Sequence, residues 1–536
     1  MAGFRSAADE LSLEQAVGQM VCTYVPPDVE ILRFMCRKGQ LGGLVLGRAE
    51  LPGPDAYDSG TNRQAVRLIA HVQSLSPVPL LVAGDFEAGV GQRMAAGATE
   101  LPPHMAIGAT GSATCARACG EVTGREAVAI GAPCVLAPVL DLAGGTDATA
   151  ESTRAFGEAP ALVSEIGAAF ADGIAAGGAI AVGKHFPGVG SASQGEHGQW
   201  PVVARDRAQL ESTDLRPFRA AIDGGVRALL CSHARFPALD PDPVRTAATS
   251  YAILTDLLRH QMGFRGVCVA DASPVGPSEA DLDAAEMDIM AAQAGADLVL
   301  TTDPRRTFHA LLGAARTEQL AAEAVFAAAG RVVSLKRESG LFDRPAPDPG
   351  SVTEALGHAR DLAMVRDVAR AAITLVRNAA VLPVALPLSG ELVIVAVGAS
   401  GRRGAEAADL LRAEVAKRHV ATALVTAAGG HDEIVRRARS AGFVLVGSFA
   451  PTGPAGRDVA LVHALQALDR PMAVVSFGDP QVARHFTRVP AYLCAYGPCP
   501  ALVEAVVEVL FGEISPAGRL PVTIQGFAPA GTGLRY

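Results

Sequence analysis

The chain has 536 residues, of which 49% are apolar and 19% charged, and its formal net charge is −9. That length gives room for about two to four domains, each able to bury its own core, and the composition excludes disordered and fibrous classes. The acidic balance argues against a nucleic-acid partner, which a basic surface would serve.

The opening stretch, MAGFRSAADELSLEQAVGQM, lacks the apolar core of a signal peptide. No stretch approaches the roughly 18 uninterrupted apolar residues of a membrane span. A soluble, cytoplasmic protein with no membrane partner is expected. From there, eight short runs rich in Val, Leu, Ile and Ala follow in order: QMVCTYV (19–25), LGGLVLG (41–47), PLLVAGDFE (79–87), PCVLAPVLD (133–141), IAVGKHF (180–186), RALLCSH (227–233), GVCVAD (266–271) and ADLVLTT (296–302). Continuous apolar runs mark strands buried on both faces, which means a parallel sheet. Segments between them, such as ALVSEIGAAFADGIAAGG and YAILTDLLRHQMGF, carry helical spacing and end near glycine. Eight strands so connected predict a (β/α)8 barrel over 1–340.

Around 338–353 the sequence turns to ESGLFDRPAPDPGSVT, dense in Pro, Gly and Asp, and reads as a linker, placed at 341–355. Beyond it, ELVIVAVG (391–398), ATALVTA (421–427), GFVLVGSF (442–449), PMAVVSFG (471–478) and AYLCAYG (491–497) alternate with helical segments. They predict a smaller α/β sandwich domain over 356–536. The nine cysteines are scattered and odd in number, which fits a reducing compartment, and none has His or Cys partners at metal-site spacing. Neither a metal nor an organic cofactor is expected.

In a barrel of this kind the active site lies at the C-terminal ends of the strands. Several runs end in polar groups: Asp85 and Glu87, Asp141, Lys184 and His185, His233, and Asp271. Any one of these serves equally well as a helix cap or a hydrogen-bonded strand end; together they point to a site. The inventory lacks a phosphate-binding glycine loop and a nucleophile elbow. It suits glycosidic bond cleavage, which needs a carboxylate near the anomeric carbon and a proton donor near the leaving oxygen. Asp271 fits two readings, that carboxylate or the N-cap of a following helix in DASPVGPSEADL. Trp200 and Phe186 likewise fit either an apolar platform near a sugar or ordinary packing.

On these residues the chain resembles glycoside hydrolase family 3, in its β-N-acetylglucosaminidase branch. LSLEQAVGQM is similar to that family's opening helix and first strand, GDFEAGVGQRM to its Asp-x-Glu-Gly-Gly segment, and APVLDLA to its fourth strand. TRAFGEAP is similar to its Arg-Ser-Phe-Gly turn, KHFPGVG to its Lys-His-Phe-Pro-Gly-His-Gly signature, and GFRGVCVADA to the strand bearing its nucleophile. VARAAITLVRN and LFGEISPAGRLPVTI look like the second domain of many members. The resemblance implies that Asp85, Arg93, Arg154, Lys184 and His185 hold sugar hydroxyls. It implies that Asp271 is the nucleophile of a retaining mechanism with a covalent glycosyl-enzyme intermediate. His197 would be the general acid/base, carried on a loop after the fifth strand. The implied substrate is a small glycoside with a terminal β-linked N-acetylglucosamine, such as a cell-wall recycling fragment.

The family's loop ends Asp-Ser-His, and its aspartate supports the histidine; here the three positions read Gly195, Glu196, His197. The signature's second histidine is Val189, an aspartate two residues on is Ser191, and an arginine after the Gly-Gly step is Val90. Losing the group that orients a catalytic imidazole costs orders of magnitude in rate. Three accounts compete. Glu196 supports His197 or itself donates the proton; or a good leaving group or a phosphate acceptor makes weak acid assistance sufficient, as in a phosphorylase; or the barrel binds sugar without turnover, as a sensor. A β-glucosidase is the neighbouring specificity.

Overall fold

The computed structural model describes residues 10–26, 28–46, 59–94, 97–144, 152–193, 200–271, 283–399, 401–426, 430–450 and 455–536. Its contacts divide the chain into two units. One comprises 1–100, 116–142 and 167–358, and the other 101–115, 143–166 and 359–536.

In the first unit each of the eight apolar runs contains a strand: β1 (Val21–Tyr24), β2 (Gly43–Leu46), β3 (Leu81–Gly84), β4 (Cys134–Val135), β5 (Ile180–Phe186), β6 (Ala228–Cys231), β7 (Val267–Asp271) and β8 (Leu298–Thr301). Every strand pairs in parallel with the next, and β8 pairs with β1 to close the barrel. All four residues of β2, β3, β6 and β8 are buried, as expected of strands covered by helices outside and by side chains inside. One interior cluster holds Cys22, Val45, Leu81, Ala83, Cys134, Leu136, Ile180, Val182, Ala228, Leu230, Val267, Val269, Leu298 and Leu300. Those positions alternate along each strand, as side chains on a pleated strand do. Each large aliphatic among them contributes about 1.5–3 kcal/mol by leaving water.

The helix Ala322–Glu338 adds Val332 and Leu335 to this cluster, and Leu341 joins them. Arg331, Ser334, Leu335 and Glu338 share a cavity of about 340 Å³ with Val226, Arg227 and residues 263–267, which lead into β6 and β7. The helix therefore lies against the N-terminal ends of those strands. On it, Lys336 is fully buried and donates to Gln19 Oε1 at 2.6 Å. Burial pushes its ammonium down to about 7.

The second unit carries a six-stranded sheet in the order β11-β10-β12-β13-β14-β9. The strands are β9 (Thr374–Asn378), β10 (Leu392–Val397), β11 (Thr422–Thr426), β12 (Phe443–Ser448), β13 (Met472–Ser476) and β14 (Ala491–Cys494). All pairs are parallel except β9, which runs antiparallel to β14. The five parallel strands sit in the expected runs. β9, in AAITLVRN, was not among them: only three of its five residues are buried, so its apolar run is short. β10, β12, β13 and β14 are buried along their whole length, and their side chains join one large apolar cluster.

Candidate active site

The alternation that fills the barrel interior also aims residues into its mouth. Ile180 and Val182 point inward, so Lys184 does too; Leu81 and Ala83 bring Asp85 to the same side, and Val267 and Val269 bring Asp271. Cys22 is inward on β1, and Tyr24, two residues on, packs against the same cluster. Tyr24 thus stands two residues nearer the mouth than Cys22, as Asp271 does beyond Val269 and Asp85 beyond Ala83. Burial, and then the negative charges of Asp271 and Asp85, raise the Tyr24 phenol well above its ordinary value. The two carboxylates and the phenol thus share one opening.

Lys184 is buried, and its ammonium lies 2.8 Å from Asp85 Oδ1 and 2.7 Å from Glu87 Oε1. Two carboxylates on one lysine satisfy a charge that would otherwise be costly to bury. For Asp85, burial opposes ionisation, but the charge and hydrogen bond of Lys184 outweigh it, and the carboxyl is held below its ordinary value of 3.8. Arg93 reaches back across the turn after β3, donating from Nε to the Asp85 carbonyl at 3.1 Å and placing an outer nitrogen 3.7 Å from Asp85 Oδ2. Gly89, at φ 76°, opens that turn in a conformation that suits glycine.

A cis peptide joins Lys184 to His185. The register of β5 on β6 shifts between Lys184 and Phe186. His185 Nδ1 lies 2.7 Å from Asp141 Oδ2. Asp141 also accepts from the backbone N–H of Val189 at 2.8 Å and from that of His185 at 3.3 Å to each oxygen. The glycine after Val189 is dictated by space, because a Cβ on Gly190 would lie 1.7 Å from the carbonyl oxygen of Leu142.

The structure joins Asp85, Arg93 and Lys184 in one network at the strand ends and His185 with Asp141 in a second, with Asp271 facing the same opening as Asp85. Arg154 ends the turn Ser152–Arg154 in the second unit, where its carbonyl oxygen lies 2.8 Å from His104 Nδ1 and His104 stacks on Phe156. Glu196 and His197 lie outside the described residues. Phe186 is no sugar platform: it is fully buried and meets Phe218 edge-on, with ring centroids 5.4 Å apart. Trp200 is half-buried beside His233, at 6.4 Å between rings.

Glu87 and Asp141 stand in the sequence as polar strand ends but were not singled out as site residues. Their signal is their partners: a buried lysine and a strand-end histidine each need a carboxylate. Tyr24 was missed altogether, though it lies two residues beyond an inward-facing cysteine at the end of an apolar run.

Comparison with known proteins identifies the family to which this fold belongs. Residues 12–335 match the model of the glycosyl hydrolase family 3 N-terminal domain, and residues 373–528 match that of its C-terminal domain. A β-N-acetylglucosaminidase/β-glucosidase of Cellulomonas fimi is 28% identical over 97% of this chain and 95% of its own. A β-hexosaminidase of Nitrosomonas eutropha is 35% identical over 43% of this chain and 65% of its own length. Among solved structures, a family 3 β-N-acetylglucosaminidase from Paenibacillus sp. str. FPU-7 superposes with a TM-score of 0.83 at 27% identity, covering 96% of this chain and 99% of that one. Barrel, second domain and sequence matches along nearly the whole length lead to one conclusion: this glycosidase belongs to glycoside hydrolase family 3.

Proposed function

We propose that the protein removes a terminal β-linked N-acetylglucosamine from a small glycoside with retention of configuration. The observation that carries this reading is the inward-facing Asp271 sharing the barrel mouth with the Asp85–Lys184–Glu87 and His185–Asp141 networks. Asp271 attacks the anomeric carbon and forms a covalent glycosyl-enzyme intermediate, which water then hydrolyses. Asp85, Arg93, Lys184 and His185 hold the sugar hydroxyls. His197, supported or replaced by Glu196, protonates the leaving oxygen and then deprotonates the incoming water.

The acetamido preference draws on the names of the relatives, of which the C. fimi enzyme bears both N-acetylglucosaminidase and glucosidase. Water is the preferred acceptor. Among the described residues at the mouth, Asp85, Glu87, Asp141 and Asp271 outnumber Lys184 and Arg93, so an incoming phosphate meets excess negative charge. We place the reaction in a reducing compartment such as the cytoplasm, with a cell-wall recycling fragment as one fitting substrate. The nine cysteines support this, since all are free and eight are buried. Among the described residues no helix is long and apolar enough to cross a membrane.

The test is an assay of aryl β-N-acetylglucosaminide and aryl β-glucoside side by side, with and without phosphate. Turnover of the acetamido substrate that phosphate leaves unchanged and Asp271→Ala abolishes supports the reading. Binding without turnover across a wide pH range sinks it.

A further inference from the structure

Asp141 lies beyond β4, on a segment held to β5 by the Leu140 N–H donating to the Lys184 carbonyl at 2.6 Å. Its Oδ1 accepts from the Val189 N–H at 2.8 Å, both oxygens take the His185 backbone N–H at 3.3 Å, and Oδ2 lies 2.7 Å from His185 Nδ1. A backbone N–H can only donate, so both oxygens are committed as acceptors. The ring nitrogen facing Oδ2 is then the one bearing hydrogen. In a neutral imidazole with Nδ1 protonated, Nε2 carries a lone pair and can only accept.

We infer that Asp141 is a positioning residue that locks His185 in the Nδ1–H tautomer, so that His185 recognises its ligand by accepting a hydrogen bond. The consequence for specificity rests on the reading of His185 as a sugar contact. A group meeting Nε2 must be a donor, that is, a hydroxyl. Asp85 makes the same demand, since a carboxylate only accepts. Fluorine, which nearly matches a hydroxyl in size but donates nothing, leaves Nε2 facing a second acceptor. Sites built to bond a hydroxyl reject analogues lacking it because the protein group is left unpaired.

Replacing Asp141 by Asn reverses the polarity. Its Oδ1 can still take the two backbone N–H groups, but its amide N–H would then face Nδ1, and the ring proton moves to Nε2. His185 would become a donor and tolerate fluorine.

The experiment uses the full-length chain labelled with ¹⁵N-histidine, with His185→Gln to assign the signal. The wild type should show His185 protonated at Nδ1 and bare at Nε2, and Asp141→Asn should show the reverse. Calorimetry with N-acetylglucosamine and its 3-, 4- and 6-deoxyfluoro analogues then reads the specificity. One fluoro analogue beyond any lost at Asp85 should bind about 10- to 100-fold more weakly than the parent sugar in the wild type. That penalty should shrink at least several-fold in Asp141→Asn. A wild-type ring protonated at Nε2 overturns the tautomer assignment whether or not the protein is a glycosidase. An Nδ1–H tautomer accompanied by equal affinity for all fluoro analogues overturns the specificity claim alone. Both wild-type readings stand even if the variant fails to fold. Absence of any sugar binding, by contrast, counts against the functional reading and leaves the tautomer result intact.

Discussion

Replacing Lys336 with Met should stabilise the barrel, and the size of the effect follows from where the lysine sits. Its side chain is fully buried, donates to Gln19 Oε1 at 2.6 Å and lies near the Cys22 thiol. Burial lowers its pKa from 10.5 to about 7. Between those values the unfolded chain binds a proton that the folded chain does not, so stability rises with pH. The slope is about 1.4 kcal/mol per pH unit. Below pH 7 the lysine is charged in both states and the burial penalty is fully expressed. At pH 8 the penalty still outstanding is about 3 kcal/mol. Methionine, of similar length and no charge, removes it and leaves Gln19 without its partner, a loss of about 1 kcal/mol. The net expectation is a gain of about 2 kcal/mol at pH 8. Urea unfolding followed by tryptophan fluorescence measures it directly, because the single tryptophan, Trp200, belongs to the barrel unit. The window is pH 7 to 9: the buried Cys22 and Cys36 thiols, pushed up to about 12, add an opposite slope above their ordinary value of 9. A variant no more stable than wild type at pH 8, or one retaining the full slope, would show that burying the Lys336 ammonium does not cost the barrel this stability.

Glu87→Gln takes one of two carboxylates from the Lys184 ammonium while keeping a hydrogen-bonding oxygen. kcat/KM should fall about 10- to 100-fold, with folding changed by no more than about 2 kcal/mol by calorimetry. A Glu87→Gln enzyme with unchanged kcat/KM would mean that Lys184 needs only Asp85. Gly190→Ala sets a methyl group against the Leu142 carbonyl, 1.7 Å away on the present backbone, so the loop after β5 has to shift. Activity should drop at least tenfold and the barrel should lose about 1–3 kcal/mol, read by parallel assays and thermal melts. Full activity in that variant would show that the loop tolerates displacement.

The barrel was legible because its strands are apolar on both faces, which leaves uninterrupted runs that few other structures produce. The same alternation carries Lys184, Asp85 and Asp271 into the mouth, so those side chains could be read from their places at the ends of runs. Partnership was harder to read. Glu87 is separated from Lys184 by 97 positions and Asp141 from His185 by 44, and nothing local in the chain announces either contact. Tyr24 was hidden for a different reason: a tyrosine closing an apolar run looks like core until the alternation places it two residues nearer the mouth than Cys22. Phe186 went the other way, its position beside the Lys-His pair suggesting the sugar while its ring turns to Phe218. β9 was overlooked because an edge strand with a short buried face has little apolar signature.

The proposed mechanism requires Asp271 to form a covalent bond to the sugar. Incubation with a fluorosugar that forms the glycosyl-enzyme faster than water clears it, such as 5-fluoro-N-acetylglucosaminyl fluoride, followed by peptide mass spectrometry, tests this directly. One added glycosyl mass is expected on the peptide containing Asp271, absent from Asp271→Ala. Label on another carboxylate, or an Asp271→Ala protein that still hydrolyses aryl glycosides at the wild-type rate, would contradict this mechanism.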